Sequence, residues 1–154
     1  MRKGWSILLE QLSDRPNIDC LWDFVNRVLA EKGDEIEFIV LYGSMAKGNW
    51  SLDSDYDVLI GLRIDDNRRF IDRLYDYSLM SRGPIEAFVY SKSEVQLMFE
   101  TFHLTLLEAL NDGIVIYDRG GWANMQKQFA LMLDKRVIEP VEYGWRIFEE
   151  RLEA

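Results

Sequence analysis

Between Tyr42 and Asp57 the chain reads Tyr-Gly-Ser-Met-Ala-Lys-Gly-Asn-Trp-Ser-Leu-Asp-Ser-Asp-Tyr-Asp, so ten residues separate a Gly-Ser pair, Gly43-Ser44, from an Asp-x-Asp pair, Asp55 and Asp57. On a strand, residues i and i+2 face the same way about 6.6 to 7 Å apart, and the two aspartates would present their carboxylates side by side. Like charges that close need a counter-charge. Hard oxygen donors with no histidine nearby suit Mg²⁺ or Mn²⁺ better than zinc. At the other end of the segment, Gly43 lets the backbone approach a ligand closely. Ser44 and the amides opening a helical turn can donate to phosphate oxygens. Mg²⁺ is commonly held by one or two carboxylates plus substrate phosphates, so the two halves together describe a nucleoside triphosphate site. The plain alternative is a β-hairpin whose Asp pair only solvates a sheet edge.

Both halves abut segments that read as strands. Glu35 to Tyr42 is short, β-branched and aromatic and stops at Gly43; Tyr56 to Leu62 has the same character. The connection from Gly43 to Ser54 is rich in Gly, Ser, Asn and Asp. Beyond it, Asp65 or Asp66 can cap a helix with Phe70, Ile71, Leu74 and Tyr77 on its apolar face, and Gly83-Pro84 breaks the chain before a strand over Ile85 to Tyr90. A helical stretch capped by Ser93 runs through Leu97, Phe102, Leu106 and Leu110 to Asn111-Asp112-Gly113, with a strand at Ile114 to Tyr117. Helices separated by a turn at Pro16-Asn17 are expected over 5–32. A helical segment is expected over 120–154, with one stripe at Trp122, Met125, Phe129 and Leu133 and a second at Val141, Trp145, Phe148 and Leu152. The pattern predicts an α/β (α+β) fold, a small mixed sheet flanked by helices, in a single domain spanning 1–154.

Composition narrows the function classes. The chain has 154 residues, 48% of them hydrophobic and 29% charged, which is ordinary globular usage. Its 18 Lys and Arg stand against 27 Asp and Glu, a net charge of -9 that disfavours direct nucleic-acid binding. The single cysteine, Cys20, and single histidine, His103, leave no disulfide and no Cys- or His-based metal cluster. The apolar run before Glu10 is too short for a signal or membrane segment, and a reducing, cytoplasmic location is expected.

The Gly-Ser and Asp-x-Asp segment resembles the signature of the DNA polymerase β nucleotidyltransferase superfamily, and the short chain resembles its minimal nucleotidyltransferase (MNT) branch. The resemblance is strong over 35–62 and weak elsewhere. It implies a nucleoside triphosphate, ATP or another, bound with two Mg²⁺, and transfer of a nucleoside monophosphate to a hydroxyl. Gly43 and Ser44 would hold the triphosphate, and Asp55 and Asp57 would ligate the metals. Lys47, in a slot where relatives often carry a basic residue, can reach phosphate or stay a solvated loop lysine. The family also expects a third carboxylate on a later strand, where this chain offers Glu86 in place of the usual Asp. Glu86 is then either a third metal ligand and catalytic residue, with a shifted geometry, or an exposed strand carboxylate.

By the same resemblance, many minimal nucleotidyltransferases are antitoxins that adenylylate a tyrosine of an all-helical HEPN toxin, and such a toxin is the expected partner. The alternatives are transfer to a small molecule, as in aminoglycoside nucleotidyltransferases, and a non-catalytic binding module. A second copy of the chain is a further candidate partner, and a membrane is not. Trp50 either stacks on a nucleobase or covers apolar surface. Arg63, Arg68 and Arg69 either assist the triphosphate or are ion-paired surface residues. His103 and Cys20 read as packing residues. The stripe at Val141, Trp145, Phe148 and Leu152 is either core or interface.

Overall fold

The computed structural model describes residues 3–153. Met1, Arg2 and Ala154, the outer bounds of the expected domain, lie outside the described residues, as does the Trp5 side chain. The elements run α1 (Lys3–Gln11), α2 (Ile18–Lys32), β1 (Ile36–Tyr42), α3 (Ser44–Lys47), β2 (Tyr56–Leu62), α4 (Phe70–Ser78) and β3 (Ile85–Tyr90), then α5 (Lys92–Glu100), α6 (Leu104–Asp112), β4 (Ile114–Asp118), α7 (Gly121–Asp134), β5 (Ile138–Val141) and β6 (Gly144–Ile147). Short 3₁₀ turns cover Gly33–Glu35 and Glu149–Arg151.

Among the described residues, strands order as β3-β2-β1-β4 in one mixed sheet, and β5-β6 form a separate hairpin. β1 is antiparallel to both β2 and β4, whereas β2 and β3 run parallel. A parallel pair needs a crossover, and α4 supplies it. The side chains alternate between two buried layers, as a sheet covered on both faces requires. Ile39, Leu41, Tyr56, Val58, Ile60 and Val89 pack with Leu21, Phe24, Val25 and Val28 of α2 on one face. Phe38, Val40, Tyr42 and Leu59 pack with Leu106, Leu110, Trp122, Met125 and Phe129 of α6 and α7 on the other.

The structure departs from the sequence expectation in three places. The stretch from Ser93 to Leu110 is two helices: α5 starts two residues earlier under a Ser91–Glu94 capping box, and the chain turns at Phe102 (φ 56°) before α6. The cap at Asp65 or Asp66 is not used by α4, which begins after Arg69, and both aspartates bond elsewhere. The expected C-terminal helical segment, 120–154, ends with α7 and gives way to the β5-β6 hairpin. Pro140 has no N–H for a helix, and Gly144, at φ 137°, closes the hairpin turn in a conformation that interrupts one. Trp145 therefore does not share a helical stripe with Val141, Phe148 and Leu152. Its ring meets Phe129 of α7 edge-on at 5.9 Å, which places it against this chain's own core.

Candidate active site

The site is built where β1 ends and β2 begins, at one end of the two central strands of the sheet. β1 delivers Gly43 at φ 74° and ψ -158°, a conformation that strongly favours glycine. A second constraint acts on the same residue: a Cβ there would collide with Oδ2 of Asp57. The turn that follows is the short helix α3. The Gly43 carbonyl accepts from the Ala46 and Lys47 amides at 3.1 and 3.0 Å, and the Ser44 carbonyl accepts from Gly48 and Asn49 at 2.9 and 3.2 Å. Gly48, at φ 87°, ends the turn. Among the described residues, the Ser44 hydroxyl and the Ser44 and Met45 amides donate no hydrogen bond within this turn, leaving them free for an anion.

The turn is braced from below and behind. Met45 is fully buried, and its carbonyl accepts from Nε of Arg15 at 3.0 Å. The same guanidinium lies 4.7 Å from the centre of the Trp50 ring, which packs on the α2-side core. Tyr56 anchors the start of β2 by donating to the Pro16 carbonyl at 2.6 Å. Trp50 thus covers apolar surface and pairs with Arg15 instead of standing open for a base.

The carboxylates gather opposite. Asp57 faces Glu86 directly across the parallel β2-β3 ladder and Tyr42 across the antiparallel β1-β2 ladder, so the three rise from one face of the sheet. Asp55, two residues before Asp57, is exposed at the mouth, as is Glu86. Burial, then the neighbouring charges of Glu86 and Asp55, push the Asp57 carboxyl up to about 6. Among the described residues, no three His, Cys, Asp or Glu side chains form a group able to hold a metal ion on their own. The donor set, all hard oxygens around a half-buried carboxylate lacking a counter-charge, nonetheless fits a divalent cation whose shell is completed by phosphate oxygens.

The other candidates sort clearly. Lys47 is on the rim of the turn, in a loose 3.9 Å ion pair with Asp112 at the end of α6. Arg63, Arg68 and Arg69 follow β2 at its far end: Arg63 donates to the Asp34 carbonyl, Arg68 pairs with Asp76 at 2.6 Å and Arg69 with Asp72 at 2.8 Å. They are not brought to the site. His103 is exposed at the start of α6, and Cys20 packs against Gly83. Sequence reasoning missed Arg15, Tyr42 and Glu108. Burial, then the charges of Asp57, Tyr90, Glu86 and Glu108, raise the Tyr42 phenol well above its ordinary range.

This geometry has relatives. A crystal structure from Sulfolobus solfataricus described as a "putative nucleotidyltransferase" superposes with a TM-score of 0.50 at 20% identity, covering 67% of this chain and 81% of that one, and so shares the fold. A toxin–antitoxin structure with AMP-PNP gives 0.45 at 13% identity over 73% of this chain and 90% of that one. The toxin–antitoxin MntA-HepT gives 0.41 at 11% over 73% and 87%. No curated protein sequence matches the chain. Among the described residues, no helix is long and apolar enough to cross a membrane. The sequence signature described as "Polymerase beta, Nucleotidyltransferase" matches residues 25–120, a span that takes in the Gly43 turn, the Asp55-Asp57 pair and Glu86, and the chain belongs to that family.

Proposed function

We propose that the chain transfers a nucleoside monophosphate from a Mg²⁺-bound triphosphate, ATP first among the candidates, to a hydroxyl. The observation that carries this reading is the direct pairing of Asp57 with Glu86 across β2-β3, with Gly43 packed against the Asp57 carboxylate. Asp55, Asp57 and Glu86 are the residues that would hold two Mg²⁺. When bound, those ions neutralise charge on the triphosphate and on the attacking and leaving oxygens. The Gly43-Ser44 turn holds phosphate oxygens through the Ser44 hydroxyl and the free amides, and Lys47, released from Asp112, adds a cation at its rim. Glu86, exposed beside Asp57, would take the acceptor proton. The protein supplies position and charge, and no protein nucleophile is needed.

For the acceptor, we infer a tyrosine hydroxyl on an all-helical HEPN-type toxin, as the resemblance to the MNT branch implies. The net charge of -9 favours a basic partner. A contact-only antitoxin is the second reading, favoured by Glu86 standing where an Asp is usual. The test is calorimetry with ATP, with and without Mg²⁺, followed by transfer of label from α-labelled ATP to an all-helical, basic protein, should the neighbouring reading frame encode one. The reading expects Mg²⁺-dependent binding, lost in Asp57→Asn, and a labelled partner tyrosine. Equal ATP binding in excess chelator would sink it. Mg²⁺-dependent binding with no labelled partner would select the contact-only antitoxin.

A further inference from the structure

A cavity of about 410 Å³ opens beside Leu62, at the opposite end of β2 from Asp57 and about 17 Å from it. Small-ligand sites run from about 300 to 1,000 Å³, whereas a helix about 10 to 12 Å wide could enter this space by no more than about one turn. The floor is apolar: Phe38 and Leu62, each 3% exposed. The Phe38 ring lies against Gly61, where any Cβ would strike it, so the glycine lets the ring lie down on β2. Val95 and Phe99 of α5 and Met125 of α7 close the sides.

Arg63 and Lys92 bring two positive charges to the lining, and the bond from the Lys92 amide to the Ile64 carbonyl, at 3.1 Å, holds their backbones together. Among the described residues, neither side chain makes an ion pair; Arg63 donates only to the Asp34 carbonyl. The acids close by are engaged. Glu37 accepts from the Gly121 amide at 3.0 Å, and Asp65 accepts from the Ser93 amide and hydroxyl at 2.8 and 2.7 Å. The first amides of α7 are taken too, since Asp118 accepts from Trp122 and Ala123. Arg63 and Lys92 are thus the groups left to meet an anion, in a chain whose net charge is -9.

We propose that this cavity is a further binding site, for a small anion with an aromatic or alicyclic body: the rings lie on Phe38 between α5 and α7, and a carboxylate or sulfonate meets Arg63 and Lys92. The body gains from leaving water for the apolar floor, and the acidic group gains charge-assisted hydrogen bonds. The site is separate from the Gly43 turn and does not depend on the nucleotidyl-transfer reading.

The test is fluorescence titration with anilinonaphthalene sulfonate, a ring anion of this class, and with phenylnaphthylamine, the same ring system without the sulfonate. Wild type is compared with Arg63→Gln combined with Lys92→Gln, with Val95→Phe, which fills the cavity from its wall, and with Lys127→Gln combined with Lys135→Gln, which removes the same charge elsewhere. Arg63 and Lys92 are both exposed, so their replacement should leave the melting temperature level. That variant is expected to bind the sulfonate about tenfold more weakly or worse and the neutral amine within about twofold of wild type. Val95→Phe is expected to weaken both probes about tenfold or more, and the Lys127 and Lys135 variant to leave both within about twofold. Unchanged sulfonate binding without Arg63 and Lys92 overturns the proposal. So does an equal loss without Lys127 and Lys135, which would reduce the effect to net charge. Full binding of both probes in a folded Val95→Phe, or no binding of either by wild type, overturns it as well.

Discussion

The parallel strands β2 and β3 carry a charge cluster at each end, and the two are opposites. Past the ends of the strands, Arg73 is 2% exposed and fully engaged. It grips Asp66 through Nε and Nη2 at 3.0 and 2.9 Å, and it donates through Nη1 to Glu94 at 2.7 Å and to the Val89 carbonyl at 2.9 Å. The Arg73 hydrogen bonds hold Asp66 below the usual carboxylate range. Burial pushes Glu94 up, but the Ser91 amide and hydroxyl and Arg73 outweigh it, and Glu94 also ends low. At the starts of the same strands, burial, then the charges of Glu86 and Asp55, drive Asp57 up to about 6. Carboxylates at the two ends of this strand pair thus shift in opposite directions: past one end hydrogen bonds and a cation outweigh burial, and at the other burial and like charges act together. The satisfied end locks the crossover helix α4 to the sheet. The unsatisfied end is left for something that arrives from outside.

The sharpest way to break this contrast is Asp57→Asn, which keeps the shape and removes the charge. Transfer of labelled monophosphate should fall by about 1,000-fold or more, since metal charge neutralisation is worth several kcal/mol. Activity within about tenfold of wild type would mean that the carboxylate cluster is not the catalytic end. At the opposite end, Arg73→Met should leave two carboxylates without their cation and destabilise the fold by about 3 kcal/mol, read from urea unfolding. A loss under about 1 kcal/mol would show that Asp66 and Glu94 find enough water to do without it.

Gly43→Ala puts a methyl into Asp57 Oδ2 and a side chain at positive φ. It should destabilise the chain by about 1 to 2 kcal/mol and lower transfer by more than that stability change explains. Thermal unfolding and the transfer assay on one preparation separate the two effects.

The smallest effect is in pH. Because the folded Asp57 pKa is raised from 3.8 to about 6, the native state binds more protons than the unfolded state between those values. Its favourable contribution is therefore full below about pH 4 and lost as pH rises through 6. Asp57→Asn should accordingly be more stable than wild type at pH 7 to 8, on the order of 1 kcal/mol once screening of this half-buried group is allowed for, and no more stable at pH 4. Asp66 and Glu94 carry the reverse sign, so Arg73→Met should lose least relative to wild type at low pH, where their pairing is already gone. Parallel pH profiles for the two variants would erase the distinction between the clusters.

Strands β1 to β4 were legible from their β-branched and aromatic runs bounded by turn residues, but β2 begins at Tyr56, so the period of two places Asp57 on the ladder and leaves Asp55 just before it. Glu86 was legible as a strand carboxylate, but its pairing with Asp57 depends on a parallel register that local sequence does not encode. Arg15 went unread for the same reason, since it reaches the Gly43 turn from the N-terminal segment. The C-terminal misreading has a different origin. Val141 and Trp145 are four apart, a helical spacing that a tight hairpin also satisfies, and Pro140 and Gly144 were the signals that should have decided it.

The Arg15 brace also bears on the order in which the protein is made. Its bond to Met45 spans 30 residues and that of Tyr56 to Pro16 spans 40, both pointing back toward the N-terminus. The props for the Gly43 turn have therefore left the ribosome before the turn itself, which can settle onto them as it emerges. Glu86 comes later, and only after α4 has crossed the sheet can it stand beside Asp57. A nascent chain would thus hold the frame of the Gly43 turn before its carboxylates are complete, and the candidate site would stay unfinished until the crossover has closed.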